Sequence, residues 1–526
     1  MDNSRFRATF VDRYERVSGI DDVSPAYRGR GTDATNPGNE SFIVLGVDGA
    51  TFGDVAWSRD DFAREPLAEM VEALGATIPR GGIELPRSAG FLSVTLKAST
   101  PEPEVYVSAR VRDASDRYYT YRLGPLGTRD FLGNLNKPTM VELGTTLMTR
   151  PQSAEPLSLV SLGIHAVPGR ERLPRGSVSI DQVATLTMRL VDGRATGDVD
   201  TAVLENFDST GQWEILHVSP VAQSDDLHDG SDVENPGLAE FSWTSDDVRV
   251  THGIVHGLQT PSLPVLASQS FLDSLGYASG DELLVSLSGH SVQVRLDDVV
   301  EFFPTMNPDR DNFLIADLTS LVRFANLDPI AGEFWVNEAW LSSANSGDDR
   351  LALVDRLKTS PYSSKYVDDR EKRLADSQVD PLAKSGWSAL LVIAFVAALV
   401  TSAVGFLVHA YVSARAREGQ FALMRTMGFS MRQLVSLVLL EQVLLIAVGM
   451  ALGTWMGGRL SKLIMPFLGH DSFGTKIVPP FVVEVDWAAL AVAYSSMVIL
   501  FALVIVGVIV FIRRIALQRI LRMGEG

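Results

Sequence analysis

Arg417–Leu434 reads REGQFALMRTMGFSMRQL and separates two of the most apolar runs in the chain. On a helix starting at Arg417, Phe421, Leu423, Met424 and Met427 share one half of the circumference, while Glu418, Ala422, Arg425 and Thr426 take the other. Gln420 interrupts the apolar half. Gly428 is a natural helix stop, and Ser430 with Gln433 three places on has the spacing of a capping box. The pattern predicts a short amphipathic helix over 417–428, turned by a tight corner into a longer one. An arginine-anchored interfacial loop fits the same spacing.

Three runs, 387–412, 434–458 and 487–512, approach or exceed the roughly 20 residues that a helix needs to cross a bilayer. One such run can be a buried core helix; three within 140 residues point to a membrane module over 387–526. Arginine placement orients it. The loop 413–433 and the tail 513–526 each hold four Arg and one Glu, whereas the loop 459–486 balances three bases with three acids. The loop 413–433 and the C-terminus are therefore expected in the cytoplasm and residues 1–386 outside. Such a domain must be exported, yet MDNSRFRATFVDRYERV carries no apolar signal core, so a further N-terminal segment is expected.

Charge and composition narrow the function. The 526 residues carry a formal charge of −18, but 387–526 hold eleven Lys/Arg against six Asp/Glu, so the acid is concentrated in 1–386. That front half would repel phosphate, and no nucleic-acid partner is expected. With no cysteine, disulfides, thiolate metal sites and cysteine nucleophiles are excluded. Within the second run, Gly449, Gly453 and Gly457 form a smooth stripe on which another helix can approach. Glu441 sits about two turns inside that run, where an ionisable group must face the bundle or a wet crevice; a structural partner near the cytoplasmic edge is favoured over a proton relay.

The run REGQFALMRTMGFSMRQLVSLVLLEQVLLIAVGMALGTWMGG resembles the signature of the FtsX-like permease family, the mechanotransmitting ABC permeases. The match is carried by Phe421, Ala422, Leu423, Met424, Arg425, Gly428 and Glu441; Gln420 stands where the family usually has Glu. The resemblance implies that 417–428 is a coupling helix docking on a separate ATPase through Arg417, Glu418, Gln420, Phe421, Met424, Arg425 and Gly428. ATP and Mg would then be bound by that partner, since no phosphate-cradling G-x-x-x-x-G-K-[ST] occurs here. It further implies a bacterial plasma-membrane protein, surrounded by lipid and working with a second permease copy or an N-terminal half-permease.

The outer half reads as α+β with a strand-rich interruption. Residues 1–81 and 259–386 mix helices and strands, and resemble the two parts of the family's extracytoplasmic core. In 259–386, Leu283, Val285 and Leu287 alternate into Val292, Val294 and Leu296 around a Ser288-Gly289-His290 bend. Residues 82–194 carry five or more short strands, expected as an inserted β-sandwich; 195–258 continue it or form a second partial one. GSVSIDQV and the run Tyr118, Tyr119, Tyr121 look similar to jelly-roll carbohydrate-binding modules. Tyr119 and Tyr121 share a strand face and either stack on sugar or lie in a core. DDLHDGSDVEN (Asp225–Asn235) departs from the EF-hand pattern and reads as a solvated loop. His252 and His256 would stand about 13 Å apart on a strand, too far to share zinc. No metal site and no catalytic constellation is expected. The expected function is a non-catalytic ABC permease subunit with an export, lipoprotein or envelope-related role. The competing class is a membrane-anchored glycan-binding, adhesion or sensor protein, and an exported hydrolase would need a carboxylate pair that the chain does not suggest.

Overall fold

A computed structural model describes the chain except residues 1–6, 37, 39, 77–78, 141–144, 147–153, 168–171, 192–193, 231–236, 248–249, 259–261, 363, 378–380, 469–486 and 524–526. It divides into two compact units, Met1–Leu353 and Val354–Gly526.

The first unit holds two large sheets. Seven strands pair in the order Glu282–Leu287, His290–Val300, Leu263–Ser268, Phe313–Asp317, Phe42–Val47, Val23–Asp33, Glu338–Leu341. Glu282–Leu287 also pairs with Val23–Asp33, through Leu287 opposite Gly31 and Val285 opposite Asp33, which closes six of the seven into a ring. The sequence explains the hairpin on this ring. Leu283, Val285, Leu287, Val292, Val294 and Leu296 are all buried, and the turn between them places Ser288 and Gly289 at φ +51° and +84°. Left-handed backbone at both central residues matches the right-handed twist of paired strands. Helices pack onto the ring from capped ends. Ser320 N donates to Asp317 Oδ2 at 2.8 Å at the start of Leu318–Ala325, whose Leu318, Leu321 and Phe324 are buried.

The second sheet is a twelve-stranded network drawn entirely from the segment between Ile83 and His256. Where the pattern predicts only short strands, Phe91–Arg112 is one 22-residue strand. Its first half pairs with Gly176–Val191, Leu96 opposite Ile180; its second half pairs with Leu157–Ala166, Val107 opposite Ile164. Between the halves the register against Tyr118–Asn134 slips on either side of Glu102, and Pro101 and Pro103 fall at positions without a ladder partner. Proline lacks an N–H, so a bulge is where a strand tolerates it. The bend brings both halves over one core that includes Leu96, Val107, Tyr121, Ile164, Ile180 and Phe241. The strands after residue 194 join this network: Arg194–Glu205 beside Gly176–Val191, and His252–His256 beside Leu157–Ala166.

The second unit contains three long helices, Pro381–Ala416, Met431–Leu468 and Trp487–Met523, and the nine-residue helix Glu418–Thr426. Apolar stretches Ala389–Ser413, Arg432–Ile464 and Leu490–Gly507 make three of them long and apolar enough to cross a membrane. The expected spans lie inside these helices. Phe406 packs edge-on against Phe501 at 5.1 Å between ring centres, joining the first helix to the third. The Thr454 and Tyr494 hydroxyls join the second to the third. Leu440, Leu444 and Trp455 stay exposed, as lipid-facing residues would be. Most of the loop 459–486 lies outside the described residues.

Candidate functional site

Between the first two long helices the chain turns twice. Arg417 is the single turn residue between Ala416 and Glu418. After the short helix, Met427 N donates to Leu423 O and Phe429 N donates to Met424 O, both at 3.2 Å, which satisfies carbonyls at its end. Gly428 stands between them at φ +90°, a conformation that a side chain would strain. The next helix opens with a reciprocal cap: Ser430 N donates to Gln433 Oε1 at 2.9 Å, and Gln433 N donates to Ser430 Oγ at 3.4 Å. The stop and the start lie where the residue pattern predicts them.

The fold also joins two residues that the sequence assigns to different roles. Arg417 Nη2 donates to Glu441 Oε1 at 2.9 Å and Arg417 Nη1 donates to Glu441 Oε2 at 2.5 Å, a two-pronged ion pair. Such paired N–H···O bonds fix orientation as well as charge. Glu441 therefore has its structural partner inside this chain, and the Arg417 guanidinium, expected to reach an ATPase, is engaged by the second long helix. On the short helix Gln420 is exposed, Leu423 is 59% exposed and Met424 is half-buried, with Met427 69% exposed just beyond it. The side chains of Glu418, Phe421, Ala422 and Arg425 lie outside the described residues. A methyl group placed on Gly449, Gly453 or Gly457 would meet nothing within 4 Å, so among the described residues the stripe is open.

The tyrosine candidates are interior. Tyr119 and Tyr121 are 7% and 1% exposed and belong to the core. Tyr121 Oη donates to Leu135 O at 2.9 Å. Of the two readings, stacking on sugar or lying in a core, the rings take the second, because packing covers their faces. Asp226–Gly230, expected as a solvated loop, is an edge strand paired with Leu238–Trp243, and His228 sits 3.0 Å from Asp226 and 3.3 Å from Glu240. Residues 231–236 of that stretch lie outside the described residues. Among the described residues, no group of three or more His, Asp or Glu side chains is placed to hold a metal ion.

Sequence reasoning missed two buried polar clusters. His252 Nδ1 lies 2.7 Å from Asp225 Oδ2, and Ser219 Oγ donates to Asp246 Oδ2 at 2.7 Å beside it. Burial pushes the Asp225 carboxyl above its ordinary range, and the hydrogen bond from His252 pulls it back. Ser108 Oγ and His165 Nε2 lie 2.8 Å apart; burial pulls the imidazole down to about 4. Both clusters are buried, and in the first Asp225 Oδ1 and His252 Nε2 have no hydrogen-bond partner among the described residues.

Residues 391–523 match the family model of the FtsX-like permease C-terminal region. No curated protein matches the chain. The match begins ten residues into the first long helix and covers the rest of it, the other two long helices and the helix between the first two.

Proposed function

We propose that this chain is a permease subunit of an FtsX-like ABC transporter, transmitting the motion of a partner ATPase to a domain outside the membrane. One observation carries the reading: a nine-residue helix, closed by Gly428 and recapped at Ser430, sits between the first two spans of the family-matched region. In this reading Glu418–Thr426 is the coupling helix, docking through Glu418, Gln420, Phe421, Met424 and Arg425. ATP and Mg bind the partner, and the chain itself is non-catalytic. The basic segments 413–433 and 513–526 face the cytoplasm. The ring-sheeted part of 1–353 is the extracytoplasmic core, and the strand-rich segment is a β-sandwich inserted into it. The open stripe at Gly449, Gly453 and Gly457 would receive a span from a second copy or an N-terminal half-permease. The role is export, or lipoprotein or envelope handling.

The test is co-purification from the native host, in mild detergent, with an ABC ATPase identified by mass spectrometry. The reading expects a stable complex that Phe421→Asp abolishes. Retention of the ATPase by Phe421→Asp, or no ATPase with the parent chain, counts against it.

A further inference from the structure

We propose that the Arg417–Glu441 ion pair is a positioning clasp that makes helix Glu418–Thr426 and the second long helix a single lever. The inference deepens the permease reading and rests on it for its purpose, but its geometry stands apart from any partner.

The short helix is held to the second long helix at both ends. At its C-terminal end the hold is covalent, through the Gly428 corner and the Ser430–Gln433 cap. At its N-terminal end the hold is ionic, through Arg417, the turn residue that precedes Glu418. A rod fixed at one point pivots about it; fixed at two, it carries its support along. Without the ion pair, the N-terminal end of the short helix is held only by the first long helix through Ala416–Arg417, and a push on it can be spent in rotation relative to the second long helix about Gly428, whose backbone occupies a region open to glycine. With it, the same push displaces the second long helix.

Placement of the acid supports this role over chance pairing. Glu441 is ten residues past Met431, about 15 Å along the helix at the usual rise, and inside the apolar stretch Arg432–Ile464. An unpaired carboxylate within an apolar span is costly and calls for a partner. Both of its oxygens are taken by separate guanidinium nitrogens, an arrangement that lysine could not reproduce. The sequence-based role of Arg417 as an ATPase contact is thereby replaced by a role in posture, while the exposed residues of the short helix remain available for contact.

The natural absence of cysteine makes the test direct. Cysteines placed at Gly419 and Leu437 in the full chain, labelled with nitroxides in phospholipid vesicles, report the separation of the two helices by pulsed electron resonance. The clasp predicts one narrow distance peak in the parent, its loss in Glu441→Gln and in Arg417→Glu, and its return in the charge-swapped double variant Arg417→Glu/Glu441→Arg. An unchanged peak in Glu441→Gln overturns the proposal, as does a double variant as broad as the single ones. No ATPase enters the measurement. Failure here therefore removes the clasp and leaves the permease reading standing, and failed co-purification does the reverse.

Discussion

Arg110 Nε donates to the Asn326 carbonyl oxygen at 3.0 Å, although 216 residues separate them in the chain. The same guanidinium donates to Thr120 Oγ1 at 2.7 Å and to Gly332 O and Asn326 Oδ1 at 3.2 Å. It is fully buried, and desolvation draws its pKa below the ordinary arginine range. One side chain thus ties the long bent strand of the twelve-stranded network to the turn after helix Leu318–Ala325. Replacing it with Met keeps most of the volume but strips the donors from four acceptor atoms. Arg110→Met should cost about 3–5 kcal/mol of stability, as breaking buried charged networks does. Denaturant unfolding of the full chain in detergent, followed by tryptophan emission, measures this; a loss under about 1 kcal/mol would mean the turn is held by other contacts.

Glu333 makes the same junction pH-dependent. Its Oε1 accepts from Tyr118 N at 3.2 Å, and burial, partly offset by Arg110, pushes its pKa up to about 7. The folded chain then holds a proton that the unfolded chain has released between pH about 4.5 and 7. Stability from this group is fully present below the lower value and is lost as pH rises through the upper one. Glu333→Gln should flatten that slope and leave the variant about 3 kcal/mol more stable than the parent at pH 8, relative to their difference at pH 4.5. Parallel slopes for the two proteins would refute the assignment.

Gly428 should tolerate no β-branched residue. Nothing lies within 4 Å of the position, so the penalty is conformational rather than steric. Gly428→Val should lower stability in detergent by about 1–3 kcal/mol, and Ser430→Ala at the adjacent cap by about 1 kcal/mol. Thermal unfolding of the two single variants and the double checks both figures.

Orientation is open to chemical labelling. On the cysteine-free background, Arg425→Cys should resist a membrane-impermeant maleimide in intact cells and react once the membrane is opened, whereas Asp349→Cys should react at once. Labelling of Arg425→Cys from outside would reverse the topology and end the permease reading.

What could be read from residues alone follows the range of the interactions involved. The Gly428 stop and the Ser430–Gln433 cap depend on neighbours within five positions, and the Ser288–Gly289 hairpin depends on alternation within one stretch. Those contacts are written locally. The Arg417–Glu441 pair spans a helix and a half, so both residues stood out while their meeting did not. For Tyr119 and Tyr121 alternation assigned a common face, but whether that face is inward depends on strands up to a hundred residues away. Prolines at 101 and 103 mimicked a boundary because a bulge and a strand end relax the same hydrogen-bonding demand. The Arg110 cluster left no trace, since two of its four acceptors are backbone carbonyls, which every residue carries, and Asn326 and Gly332 lie more than 200 residues away.

The closed circuit of strands that runs from Val23–Asp33 back to Glu282–Leu287 has no loose selvedge along most of its length. An open sheet yields to tension one row at a time, like a seam unpicked from its margin. A hoop shares the load among all its rows, so a tug on any one of them moves the whole. On the permease reading proposed above, this hoop is the stiff hub of the outer domain.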